Sequence, residues 1–177
     1  PTQSEPRLSP VGMPSLYPGN AQESLDLGLH GYNLPRLSGL WVGMKIVTNV
    51  ADGTGTANID PSRLNFVTPD LMFDGQKFTP NMNLGMNVRV EALEMEQSLY
   101  TRRLEVAKRY ARENKLNNVV FPNPDAWIGI LTAGKTYNDL NQAFLEMGLD
   151  DAALRRYGVR ILKMGMLFPM EPTIVRE

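Results

Sequence analysis

The chain has no cysteine and one histidine, His30. Without thiols it can form no disulfide and offers no thiolate to zinc or to an iron–sulfur cluster. A single imidazole rules out a His-rich metal site, and the missing thiol rules out a Cys–His pair within the chain. Neither charge is in excess: 18 Lys and Arg against 19 Asp and Glu leave −1 at pH 7. No overall basic surface therefore invites nucleic acid or anionic lipid. No apolar run approaches the roughly 20 residues that a membrane helix requires, and no secretory leader precedes the first predicted strand. The expectations are no nucleic-acid partner, no membrane and a cytoplasmic location.

What is present is ordinary for a globular protein, with 42% hydrophobic and 21% charged residues. A length of 177 residues allows one domain or parts of two. The chain opens at Pro1 in a polar stretch without Met, and Pro172 starts a terminal helix with about one turn to run. Such ends are expected of a piece of a longer polypeptide.

Pro1, Pro6, Pro10, Pro14 and Pro18 make the first 19 residues extended or turn, with a short strand possible at 13–17. Asn20 followed by Glu23 forms a capping-box pattern, and Leu25, Leu29 and Tyr32 continue at helical spacing. A helix over 20–34 results, ended or kinked by Pro35. The β-branched and aromatic run Leu40–Val50 predicts a strand buried on both faces, and Thr56–Ile59 a short one. Residues 69–90 lack a clear period and read as an irregular linker.

The second half is more regular. Leu93, Tyr100, Leu104, Ala107 and Ala111 predict one amphipathic helix over 91–114, with Arg102, Arg103, Lys108, Arg109 and Arg112 on its solvated side. Residues 118–121 form a short apolar segment. Residues 127–132 and 159–164 read as strands joined through a helix capped by Thr136 and Asp139, with Leu140, Ala143, Phe144 and Met147 inside and its end at Gly148, then a shorter helix begun by Asp150 or Asp151. A strand–helix–strand crossover makes the two strands parallel neighbours. The fold class is α/β, built from parallel-sheet βαβ units.

Residues 129–136, Gly-Ile-Leu-Thr-Ala-Gly-Lys-Thr, satisfy the spacing of a phosphate-binding loop. A working loop follows its strand, whereas here Ile130 and Leu131 are strand interior, so a plain glycine turn is favoured. An anion at the helix start, on Gly134, Lys135 and Thr136, is the functional alternative. Gly53 and Gly55 make a turn rather than a dinucleotide site. His30 has no second ligand near it in sequence, and the ten methionines read as core or interface filler. No nucleophile, base and orienting group fall into one pattern.

Several blocks resemble the long, fused indolepyruvate:ferredoxin oxidoreductases, in that family's order. They are Gln22–Gly31 with Arg36-Leu37-Ser38-Gly39-Leu40-Trp41-Val42-Gly43-Met44-Lys45, then Arg109–Leu116, Ile128–Tyr137 and Tyr157–Met166. The resemblance implies an enzyme that decarboxylates arylpyruvates oxidatively on thiamine diphosphate with magnesium, forms the aryl-acetyl-CoA and passes electrons through iron–sulfur clusters to ferredoxin. It also implies that residues 1–68 are the later part of a pyrimidine-binding thiamine domain and 91–177 a truncated domain similar to the C-terminal domain of transketolases. The partners would be the remainder of the parent polypeptide, coenzyme A and ferredoxin, in a homodimer.

On this reading the chain carries no catalytic residue and no metal ligand, and binds no cofactor alone. Gln3, Ser4 and Glu5 are the residues that could approach the cofactor. Pro35 and the stretch 49–56 depart from the family pattern, which implies a divergent member with a different 2-oxoacid. The alternative is a free-standing α/β interaction or small-anion-binding module using Gly134–Thr136.

Overall fold

The computed structural model describes residues 5–81 and 89–176. In chain order the elements are α1 (Glu5–Leu8), β1 (Ser15–Leu16), α2 (Ala21–Ser38), β2 (Gly43–Met44), α3 (Thr48–Ala51), β3 (Met72–Phe73), β4 (Gln76–Lys77), α4 (Arg89–Ser98) and α5 (Leu104–Glu113). They continue with β5 (Asn117–Phe121), β6 (Ile128–Ala133), α6 (Gly134–Glu146), α7 (Asp151–Arg156), β7 (Val159–Met164), β8 (Met166–Phe168) and α8 (Pro172–Arg176).

The crossover is as expected: β6 and β7 pair in parallel from Ile128↔Val159 to Ala133↔Met164. β5 adds antiparallel on the other edge of β7, giving the order β5-β7-β6. The faces of α6 and α7 cover one side through Tyr137, Leu140, Phe144 and Leu154, packed on Val159 and Ile161. Ala143 is exposed and outside this cluster, as is Met147 at 61% exposure because α6 has already ended at Glu146; the helix starts at Gly134 with no side-chain cap, ahead of Thr136 and Asp139.

A second sheet has β1 at its centre, parallel to β2 and antiparallel to β8. Residues on both sides of 69–90 thus share a sheet, and they share a core as well. Leu16, Leu27, Leu34 and Leu40 pack with Leu104, Ala107, Tyr110, Ala111, Leu116 and Met166.

Four local expectations are corrected. α2 runs through Pro35 to Ser38 and closes at Gly39, which is left-handed at φ 70°. Gly31 stands four residues before Pro35, where the backbone has most freedom to yield to the ring. The buried face of α2 is Leu27, His30, Leu34 and Ser38, while Leu29 and Tyr32 are exposed. Of the predicted strand Leu40–Val50 only Gly43–Met44 is strand, on an outer edge, and residues 48–51 are helical. No strand forms at Thr56–Ile59, an exposed stretch tied back by Asn58 to Gln22.

The long helix is interrupted by a π-helical turn at Leu99–Arg103. Its wider turn advances the later residues around the axis. Leu93 and Tyr100 therefore point outward, while Leu104, Ala107 and Ala111 are buried. The same turn drives Arg103 inside, where its guanidinium donates to the carbonyls of Gly39 and Asn81 at 3.2 and 2.8 Å. The arginine face expected to be solvated is a set of clamps. Arg102 and Arg109 hold the ring of Phe73 between them at 4.9 and 4.3 Å. Phe73 belongs to a β3–β4 hairpin, whose turn residues Asp74 and Gly75 both have positive φ, inside the stretch expected to be irregular.

Candidate functional site

Residues 129–133 of the phosphate-loop pattern are strand β6, and Gly134 opens α6 at φ 49°. The start of α6 is packed against the segment before α2. A Cβ on Gly134 would lie 2.4 Å from the Tyr17 ring, and one on Gly19 2.5 Å from the Gly134 carbonyl oxygen. Asn138 donates to the Gly19 carbonyl at 2.8 Å. The Lys135 ammonium pairs with Asp139 one turn on. Gln3 and Ser4 lie outside the described residues; Glu5 begins α1.

The polar side chains that converge lie on one strip of α2: Gln22, Asp26 and His30, spaced four residues apart, with Glu23 beside them. The capping box forms as expected, since Glu23 N–H donates to Asn20 Oδ1 at 2.9 Å and the Gly19 N–H donates to the Glu23 carboxylate at 2.8 Å. Glu23 also pairs with Lys163 of β7, whose ammonium lies 4.4 Å from the Tyr137 ring centroid. One carboxylate thus joins the α2 start, the central strand of the β5-β7-β6 sheet and α6.

Asp26 receives the Arg63 guanidinium, one contact being 2.9 Å, and the Gln22 amide at 2.9 Å. Burial opposes its charge, but the hydrogen bonds from Arg63 and Gln22 outweigh this and hold its carboxyl below the ordinary aspartate value. Asn114 grips Val67 through both backbone N–H and C=O at 2.8 Å each. With the two contacts between Gln22 and Asn58, these side chains fasten residues 58–67 across α2 as a strap.

Under the strap, His30 meets Phe66 edge to face at a centroid separation of 5.0 Å. Its Nδ1 is 2.9 Å from the Tyr110 hydroxyl, which accepts from Asn33 at 3.1 Å. The buried hydroxyl proton needs an acceptor, and Nδ1 is placed to accept it, which leaves the proton of the neutral imidazole on Nε2. Burial lowers the His30 pKa, partly countered by the Asp26 charge, so the ring is neutral at pH 7. Burial likewise raises that of Tyr110.

The group holds α2 to α5 and suits positioning rather than proton transfer to a reactant. Tyr110→Phe keeps the ring but strands Asn33 and His30, and is expected to lower stability by about 1–3 kcal/mol. Urea unfolding monitored by circular dichroism would read this directly. The strip was missed in sequence because the helix was read by its leucines; the i, i+4 spacing of Gln22, Asp26 and His30 was the available signal.

Among the described residues no group of three or more His, Asp or Glu is placed to hold a metal ion. Two concavities lie beside these contacts. One of about 390 Å³ lies between the start of α2 and residues 49–56, the stretch that departs from the family pattern. The other, about 230 Å³, lies where Arg112 meets Glu171.

Residues 117–177, spanning β5 to α8, match the model of the indolepyruvate ferredoxin oxidoreductase middle domain. Over these residues the chain is similar to the indolepyruvate ferredoxin oxidoreductases. Its curated relatives include the indolepyruvate oxidoreductase subunit IorA of Methanothermobacter marburgensis, 26% identical over 165 residues, covering 93% of this chain and 24% of that protein. The subunit of the same name from Methanothermobacter thermautotrophicus is 25% identical over the same share of each chain. The chain thus spans about a quarter of the length of these relatives. The architecture is mixed α/β with parallel strand pairs. Among the described residues no helix is long and apolar enough to cross a membrane.

Proposed function

We propose that this chain is the framework segment of an enzyme that oxidatively decarboxylates arylpyruvates of the indolepyruvate type to aryl-acetyl-CoA, with ferredoxin as electron acceptor. The observation that carries the reading is similarity to two indolepyruvate oxidoreductase subunits along 93% of the chain. On this reading residues 1–68 close a thiamine-pyrimidine domain and 91–177 form a domain similar to the C-terminal domain of transketolases. The parent works as a cytoplasmic homodimer.

The described residues do not fit an iron–sulfur cluster or a magnesium ion. The chain has no cysteine for an iron–sulfur cluster, and the described residues hold no acidic or histidine cluster for magnesium. The reading places thiamine diphosphate, magnesium and the clusters on the remainder of the parent polypeptide. The part played by this chain is mechanical: Glu23–Lys163, His30–Tyr110 and the shared sheet fix the two halves against each other, so that surfaces meeting the cofactor domains keep one geometry.

The test is an anaerobic assay of the complete protein that carries this segment, with indolepyruvate, phenylpyruvate, pyruvate or 2-oxoglutarate, coenzyme A and oxidised ferredoxin. Aryl-acetyl-CoA formed with stoichiometric ferredoxin reduction is expected. Turnover of pyruvate or 2-oxoglutarate but of neither arylpyruvate would overturn the substrate class.

A further inference from the structure

We propose that the cleft between α2, the strap and the strand β5 binds a small organic carboxylate through Lys115 and His30. The cleft measures about 290 Å³, at the small end for a ligand site. Its apolar walls are Leu27, Leu64, Leu116 and Val120, which suit a short hydrocarbon tail.

The ionic groups around it divide into committed and uncommitted ones. Glu23 is neutralised by Lys163 and Asp26 by Arg63. The Lys115 ammonium has no hydrogen-bond or ion-pair partner among the described residues, and His30, only 7% exposed, has one for Nδ1 but none for Nε2. One uncommitted cation and one neutral N–H donor match a single carboxylate. A phosphate dianion is disfavoured by the two carboxylates of Glu23 and Asp26 that line the same cleft. The inference uses only this cleft and does not depend on the oxidoreductase reading.

Because His30 is the sole histidine, its imidazole resonances report the site without assignment ambiguity. Titration of the 177-residue chain with butyrate is expected to shift them saturably. The neutral isostere butyramide should leave them in place, and inorganic phosphate should bind more weakly than butyrate. Lys115→Gln should weaken butyrate about tenfold, the loss of one charge-assisted hydrogen bond, while leaving the thermal midpoint within a degree or two. An absent or unsaturable shift, an equal response to butyramide, tighter binding of phosphate, or unchanged affinity in Lys115→Gln would each overturn the proposal.

Discussion

Gly134→Ala is expected to lower stability by about 3 kcal/mol or more, whereas Gly129→Ala should stay within about 0.5 kcal/mol of the parent. The two glycines are the conserved-spacing positions of the same phosphate-loop pattern, yet their surroundings are opposite. At Gly134 the backbone is left-handed and a new methyl would lie 2.4 Å from the Tyr17 ring. The left-handed conformation costs an L-residue about 1–2 kcal/mol, and forcing apart a packed contact about 1–3 kcal/mol more. At Gly129 a Cβ meets nothing within 4 Å, in an extended strand that accepts any residue. Thermal unfolding of both variants separates the two cases. A phosphate loop would instead lose anion affinity at both positions.

Arg112→Met is expected to cost about 2–4 kcal/mol, because it leaves a buried carboxylate without its cation. Glu171 is 2% exposed and takes the Arg112 guanidinium at 2.5 and 3.2 Å, with the backbone N–H groups of Thr173 and Ile174 at 3.1 and 3.2 Å. Burial opposes its charge, but the Arg112 hydrogen bond and those from the α8 start outweigh it and lower its pKa from 4.5 to about 2. A carboxylate depressed in the folded state contributes stability that is fully present above the unfolded value of 4.5 and is lost as pH falls towards 2. The parent should therefore lose stability steeply between pH 5 and about 2. Glu171→Gln, which carries no charge to protonate, should show a flatter profile over that window. Urea midpoints measured at half-unit pH intervals give both slopes.

Which elements were legible follows from what each depends on. The capping box at Asn20 and Glu23, the Asp150 cap of α7 and the parallel pair β6–β7 rest on local pattern, and they appear as read. The phase of α2 did not, because Leu25, Leu29 and Tyr32 look like a core stripe until α5 and β1 arrive on the face of Leu27, His30 and Leu34. The π turn at Leu99–Arg103 carries no sequence mark, and it alone separates Tyr100 outside from Leu104 inside. The Asp74-Gly75 hairpin was legible as a turn signal, but the surrounding Pro and Asn obscured it. Of the contacts that join the two halves, Glu23 was visible as a cap. Its second role towards Lys163 spans 140 residues and depends on tertiary pairing. The same holds for His30 and Tyr110, 80 residues apart.

The central proposal is that this chain frames an oxidoreductase site without itself holding the cofactor. Isothermal titration calorimetry of the 177-residue chain with thiamine diphosphate and magnesium tests it most directly. The account predicts no saturable heat at millimolar cofactor; tight one-to-one binding would contradict it.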